Sequence, residues 1–528
     1  MEFRTLLQSI LGPFKFEVFF IFIFIFIPIS LIFITVSNKI ERFIFFILNF
    51  AGHRAPTIEN ISFSKNMEYF KGTVYSSSIH LIDILAFVFL MFMIIKKEYR
   101  HFFKFLPNGT IPLFLYFLTS CLSLFEVKAD FFDRSFYALF LGGRQVLFFY
   151  CLANYFRIPM RREYQLKSFF FIAFYTFVVS FQQRYIIGFH RLGADFSHPN
   201  QMVFYLVPVM ALFAPIYLNQ KENNYSKWVS VIAIISSLVC CLMSLSRGFI
   251  FNFLAAATII LIFDFTTRFK IKKFYTVSLL LFLLIFGSMK AWDTWYERLT
   301  SATNPAGTAQ RKAYYLIGWE VLKENMWFGI GINQFGSNAY TSSVIAKVLE
   351  YPYVKNDPLM YAFIKSFQDK AVYLSSIGAS EKLMFSGGIP ESFYVMHFAE
   401  TGIVGIFGTL FCQIFFIISC LRSIFYFRKR NIFLLNLSVG LLAAQMGMYT
   451  QSVFEYILRQ ENPMYLQAII YAMISSVAGE RRSQKFDKSR LENVVNTELP
   501  DLPNEIDQLK EIKVSLIDST DIPPIPKN

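Results

Sequence analysis

The chain has 528 residues, of which 55% are hydrophobic, 19% are aromatic and only 16% are charged. An ordinary soluble domain has about 25% charged residues, so the composition excludes one large globule with a charged shell. The net charge is +14. Because basic residues beside a bilayer usually record topology, this excess does not imply nucleic acid.

The apolar runs predict an all-α polytopic membrane protein. They are about 16 to 22 residues long, and a bilayer core needs about 20 helical residues for each crossing. The first run lacks a small-residue cleavage site, so we interpret it as a retained helix rather than a signal peptide. The twelve predicted spans lie at about 18–37, 80–95, 111–126, 135–155, 168–187, 200–218, 229–245, 248–266, 274–290, 391–421, 431–452 and 463–478.

Basic residues set the orientation, because Lys and Arg resist translocation. With the N-terminus inside, the short cytoplasmic segments hold twenty Lys and Arg, and the opposite short loops and span ends hold six. We therefore expect both termini in the cytoplasm. Four regions follow: spans one to nine in 1–290 with an outer loop at 38–79, a periplasmic loop at 291–390, spans ten to twelve in 391–480, and a disordered cytoplasmic tail at 481–528.

The loop between spans nine and ten contains a helix signal. Thr308 can cap a helix in which Tyr315, Trp319 and Leu322 follow at helical spacing. This pattern predicts an amphipathic helix on the membrane face of the loop.

Three arginines lie at or near the outer membrane boundary. Arg247 lies in the Ser-Leu-Ser-Arg-Gly-Phe turn between spans seven and eight, Arg191 lies just before span six, and Arg311 begins the loop helix. Arginine binds phosphate oxygens through two parallel hydrogen bonds, which suits an anionic headgroup. The alternative is that each arginine only reaches to lipid phosphates.

Arg144 differs from these because it lies about halfway along span four. A charge at that depth is costly and normally faces a cavity or a partner. We interpret it as part of a buried polar binding pocket, with a structural ion pair as the alternative.

Two titratable residues lie at the start of span ten. Pro390 follows two glycines and marks a helix start, which puts Glu391 in the first turn. His397 lies about 9 Å deeper and about 120° around the helix. No His, Cys, Asp or Glu group has metal-ligand spacing, and no nucleotide-binding glycine motif has a suitable context, so no metal or cofactor is predicted.

The order of motifs resembles the O-antigen ligase and polymerase superfamily of bacterial envelopes. The resemblance covers about residues 190–420. Its motifs are G-A-D-F-S-H-P-N-Q before span six, the S-R-G turn, R-K-A-Y-Y-L-I-G-W-E-V-L-K-E-N-M-W-F-G-I-G-I-N-Q-F in the long loop, and E-S-F-Y-V-M-H-F-A-E-T-G-I-V-G at span ten.

The resemblance implies a metal-independent glycosyltransferase of the GT-C type, working at the outer face of the bacterial inner membrane. Its donor is a glycan on undecaprenyl pyrophosphate, and Arg247 and Arg311 match the arginines that hold the pyrophosphate. Membrane lipids and chain-length regulators or other polysaccharide assembly proteins are the implied partners.

One position departs from the ligase pattern. Ligases of this family carry His-Asn about nine residues before the Glu of Glu-x-Gly, and counting back from Glu400 gives Glu391-Ser392. The Glu-Ser pair resembles the polymerase branch, with Glu391 as the base, whereas His397 would serve only through a shifted register. The prediction is a polysaccharide polymerase. The alternatives are an O-antigen ligase that transfers the glycan to lipid A-core and, from another class, a lipid-linked oligosaccharide flippase.

Overall fold

The computed structural model describes residues 27–53, 61–62, 78–79, 81–127, 132–189, 191–196, 198–219, 224–267, 305–376 and 390–498. These ranges are almost entirely helical, as the apolar runs predict. One short antiparallel pair, β1 (Ile61–Ser62) and β2 (Ser78–Ile79), places Ile61 opposite Ile79.

The helices of the bundle are α1 (Ile27–Val36), α2 (Asn38–His53), α3 (Leu81–Ile95), α4 (Lys97–Arg100), α5 (Thr110–Leu122), α6 (Phe132–Tyr155), α7 (Pro159–Tyr185), α8 (Pro199–Asn219), α9 (Asn224–Met243) and α10 (Arg247–Thr267). The remaining helices are α11 (Pro305–Glu324), α12 (Phe335–Asn338), α13 (Ser342–Glu350), α14 (Pro352–Lys355), α15 (Pro358–Ser376), α16 (Phe393–Phe427), α17 (Ile432–Phe454) and α18 (Glu461–Glu498). Short 3₁₀ turns follow α5 at Ser123–Glu126 and α17 at Ile457–Arg459.

Eleven predicted spans overlap helices, namely α1, α3, α5 to α10 and α16 to α18. Within the described ranges, five helices are long and apolar enough to cross a membrane: Ser135–Tyr155, Pro159–Tyr185, Pro199–Asn219, Phe393–Phe427 and Ile432–Phe454. The all-α membrane architecture is therefore confirmed. The ninth predicted span, 274–290, and residues 18–26 of the first lie outside the described residues, so the count of twelve and the GT-C fold stay predictions.

The outer loop predicted at 38–79 is wrong for its first part, because α2 occupies Asn38–His53. Glu41 is fully buried there and accepts hydrogen bonds from Arg161 Nε at 2.7 Å and Nη2 at 2.6 Å. Arg42 donates to the Tyr164 hydroxyl at 2.6 Å. These contacts place the start of α2 beside the start of α7, at the end that the basic residues assign to the cytoplasm. Sequence patterning missed α2 because its polar residues find partners more than a hundred positions away.

The predicted disordered tail also needs correction. Helix α18 continues to Glu498, beyond the predicted boundary at 481. Residues 499–528 lie outside the described part of the chain, so the prediction for them is not tested. The chain divides into two units between Gly479 and Glu480, within α18.

Two hydrophobic cores position the candidate site. The larger is built from the bundle helices, with α8 and α17 nearly enclosed by their neighbours. The smaller joins the loop helices α11, α13 and α15 to Met396 and Ala399 in the first turns of α16. The loop helices are therefore fixed to the end of the bundle at which α16 begins.

The loop helix forms as predicted, but its buried face differs. It begins at Pro305, three residues before Thr308, so Arg311 lies well inside the helix. Tyr314 and Ile317 are buried, whereas Trp319 is 54% exposed. Consecutive apolar residues give this helix two overlapping apolar stripes, so the spacing alone does not decide which stripe packs inward.

Candidate active site

The Ser-Arg-Gly turn is shaped by the packing of the glycine. Leu245 has φ of +50° between α9 and α10, and Arg247 is the first residue of α10. A Cβ on Gly248 would lie 2.6 Å from Glu455 Oε1, so only glycine lets the carboxylate approach the backbone here. The turn therefore presents an arginine beside a closely fitted glutamate.

Asn200, from the Pro-Asn stretch, links this turn to two other elements. Its Oδ1 accepts hydrogen bonds from Arg191 Nη2 at 3.2 Å and from Ser246 Oγ at 2.9 Å. Its backbone oxygen accepts one from Gln451 Nε2 at 3.2 Å. Asn200 thereby holds Arg191 and Ser246, the residue before Arg247, next to the end of α17.

Glu455, one residue beyond α17, lies where these elements meet. Gln451 Nε2 donates to its Oε2 at 2.9 Å, and its backbone oxygen accepts from Phe393 N at 3.2 Å. Burial, with a smaller contribution from Glu391, raises the pKa of Glu455 to about 7, although the Gln451 hydrogen bond and the two arginines Arg191 and Arg247 lower it. A carboxyl group with a pKa near neutrality is poised to exchange protons at working pH.

Arg311 and Glu391 form the second part of the site, as an ion pair. Arg311 Nε lies 2.7 Å from Glu391 Oε2, and both side chains are more than a third exposed. Tyr315 donates to the backbone oxygen of Val453 at 3.1 Å, which ties the loop helix to the end of α17. Ser392 caps α16, so Glu391 precedes the helix and does not lie in its first turn as predicted.

We call Arg191, Arg247, Arg311, Glu391 and Glu455 the arginine–glutamate cluster. The structure thus brings together four of the six residues predicted from the sequence. The roles of Arg247 and Arg311 in holding a pyrophosphate stay predictions.

His397 lies apart from this cluster. Its ring is 1% exposed and stacks on Phe393 with centroids 5.2 Å apart. It lines a cleft of about 40 Å³ with Arg459, Tyr116 and Ser120. Its burial among aromatic rings separates it from Glu391, as the helical spacing predicts.

Arg144 forms a structural ion pair, which was the alternative to the predicted binding pocket. Its Nε lies 3.1 Å from Asp83 Oδ1, and its Nη2 donates to the Tyr465 hydroxyl. The ion pair joins α3, α6 and α18. A role in substrate binding is not tested by this geometry.

The motif in the long loop and the motif at span ten contact each other. Gly402 interrupts α16 with φ of +65° and ψ of −163°, a conformation open essentially to glycine. Gly331 N bonds Glu400 O at 3.0 Å, and Ile403 N bonds Met326 O at 2.8 Å. The loop motif and the Glu-Thr-Gly motif therefore pair through their backbones.

A buried ion pair secures the same junction. Glu400 Oε1 accepts from Phe335 N at 2.9 Å, and its Oε2 lies 2.5 Å from Arg459 Nη1. Glu400 is thus a fixed anchor of the fold, which explains why this motif accompanies the loop.

Sequence reasoning missed Glu455 and Asn200. Glu455 follows the predicted end of span eleven by three residues, at the same boundary as the arginines. Its boundary position was the available signal, but no motif singled it out. Among the described residues, no group of three or more His, Cys, Asp or Glu is arranged to hold a metal ion; metal independence itself stays a prediction.

A family model described as O-antigen ligase matches residues 232–359. The match supports the resemblance of this chain to the O-antigen ligase and polymerase superfamily. The match spans the Ser-Arg-Gly turn, the loop helix and the Gly329–Gly331 segment. It therefore includes Arg247 and Arg311, whereas the other three residues of the cluster lie outside it. A comparison with curated proteins finds no match.

Proposed function

We propose that this protein is a polysaccharide polymerase at the outer face of the bacterial inner membrane. It transfers a glycan from undecaprenyl pyrophosphate onto a second lipid-linked repeat unit. The arginine–glutamate cluster carries the proposal, because it combines cations suited to a pyrophosphate with carboxylates suited to accept a proton.

The arginines supply what the leaving group needs. When the bond between the sugar and the pyrophosphate breaks, negative charge develops on the phosphate oxygens. Fixed donors aimed at such a charge are each worth about 10² to 10³ in rate. Asn200 holds Arg191 directly and also accepts from Ser246, the residue before Arg247. Arg191 and the turn that carries Arg247 therefore need little reorganisation when the charge appears.

The carboxylates favour polymerase over ligase. Glu391 occupies the place of the ligase histidine and lies at the surface of the site, within reach of an acceptor. His397 is buried and stacks on Phe393, whereas Glu391 is partly exposed and pairs with Arg311. A ligase is the second candidate, favoured by the cleft that His397 shares with Arg459.

The glycan pattern of a deletion strain tests this function. Loss of a polymerase should leave a single capped repeat, and wild-type plasmid should restore the ladder. Loss of a ligase should instead remove the capped glycan and accumulate lipid-linked polymer, which would contradict the proposal. An unchanged ladder would favour a flippase or another pathway.

A further inference from the structure

We propose that Glu455, rather than Glu391, accepts the proton of the acceptor hydroxyl. This inference rests on the proposed glycosyl transfer and adds its catalytic base. Glu455 belongs to neither of the motifs that carry the resemblance at the loop and at span ten.

The first support is the fit of the carboxylate. Gly248 leaves room for Glu455 Oε1, because a Cβ at position 248 would lie only 2.6 Å from this oxygen. Gln451 holds Oε2 and is itself fixed by Asn252, which donates to Gln451 Oε1 at 2.7 Å. The side chain is partly buried, so it is oriented by the fold and still accessible from the site.

The second support is a comparison of the two carboxylates. Glu391 Oε2 lies 2.7 Å from Arg311 Nε, so this carboxylate is already engaged by a guanidinium and is less available to an acceptor hydroxyl. Glu455 faces Glu391, Arg191 and Arg247, and burial outweighs these arginines to raise its pKa to about 7. A general base is most effective when its pKa lies near the working pH.

These positions assign proton transfer to Glu455 and stabilisation of the leaving group to the arginines. The acceptor hydroxyl gives its proton to Glu455 while its oxygen attacks the anomeric carbon of the donor sugar. The carbon–oxygen bond to the pyrophosphate breaks, and the electron pair leaves with the lipid pyrophosphate, which the arginines hold. Glu455 then releases the proton to water, and Glu391 keeps Arg311 in position.

The test compares Glu455→Gln with Glu391→Gln in the full-length protein, purified in nanodiscs and supplied with synthetic undecaprenyl-pyrophosphate-linked repeats. Glu350→Gln, on the exposed end of α13, is the matched control. Initial rates are measured from pH 5 to 9. We expect the wild-type rate to rise with pH around a midpoint of about 7. Glu455→Gln should lower the rate about 10² to 10⁴-fold and abolish this rise. Glu391→Gln should keep the rise, with its midpoint shifted to lower pH because the charge of Glu391 helps to raise the pKa of Glu455.

Binding of undecaprenyl pyrophosphate distinguishes a lost base from a damaged fold. We expect Glu455→Gln to bind this lipid as the wild type does. A Glu455→Gln protein that retains the rate and its pH midpoint, or that loses lipid binding together with the rate, would overturn the role of Glu455 alone. A wild type that extends no glycan would overturn the proposed function and this role together.

Discussion

This molecule contains buried and partly exposed ion pairs between arginine and glutamate. Arg161 and Glu41 form a fully buried one-to-one pair with two hydrogen bonds, and the Tyr155 hydroxyl donates to the same carboxylate at 2.6 Å. The arginine–glutamate cluster lies at helix ends and in loops, and its Arg311–Glu391 pair is more than a third exposed. The first arrangement fixes helices α2, α6 and α7, whereas the second leaves charged groups accessible to a ligand.

The comparison indicates that burial decides whether a charged residue mainly stabilises the helix bundle or is available to bind a ligand. Removing one partner of a buried pair leaves an uncompensated charge in a medium of low polarity. Changing a partly exposed arginine leaves a charge that water can solvate. Substitutions in the two regions should therefore differ in whether they affect stability or rate.

Arg161→Met should have the largest effect, on stability. It leaves Glu41 buried without its guanidinium, and breaking such a pair costs about 3–5 kcal/mol. Thermal unfolding in detergent should show a strongly lowered Tm. A matched change at the exposed Arg428 (Arg428→Met) should leave the Tm nearly unchanged. An Arg161→Met protein as stable as the wild type would remove the distinction between the two regions.

The Arg247→Lys and Arg311→Lys double variant should instead lose rate at nearly unchanged Tm. Lysine keeps the charge but loses the two-pronged contact with phosphate oxygens. We expect a loss of at least about 100-fold in glycan transfer, measured after equal protein levels are shown. Wild-type activity in this variant would contradict the assignment of both arginines.

Gly248→Ala sharpens the comparison inside the cluster. The added methyl would contact Glu455 Oε1, so the carboxylate must shift while every charge is retained. We expect a loss of about tenfold in rate, since small misplacements of reacting groups are costly. Gly143→Ala in α6, where a Cβ has ordinary contacts, is the control. Equal rates for both variants would argue against the fitted position of Glu455.

The smallest expected effect is a pH-dependent stabilisation in Glu455→Gln. Because the folded-state pKa of Glu455 is raised to about 7, the unfolded chain ionises first as the pH rises from about 4.5 to 7, and the folded state loses stability in this range. The amide has no such loss. The Tm difference between Glu455→Gln and wild type should grow from pH 5 to 7 and then level off. A constant difference would indicate an unshifted carboxyl.

The helical bundle and the position of the site were largely predictable from the sequence. Apolar length locates the described spans, and a shared boundary predicts that Arg247, Arg311 and Glu391 converge. Partner choice was not predictable, because Glu41 and Arg161 lie 120 positions apart and no local pattern connects them. Glu455 was missed for the same reason, since its partners come from separate elements.

The central claim is that the arginine–glutamate cluster binds a lipid pyrophosphate, and direct binding tests it best. The affinities of undecaprenyl pyrophosphate and undecaprenyl monophosphate should be measured for the wild type and for the Arg247→Lys, Arg311→Lys variant in nanodiscs. We expect the wild type to bind the pyrophosphate at least about tenfold more tightly, a difference of about 1.4 kcal/mol, and the variant to lose this preference. Equal affinity of the wild type for both lipids, or a preference that survives in the variant, would contradict the claim.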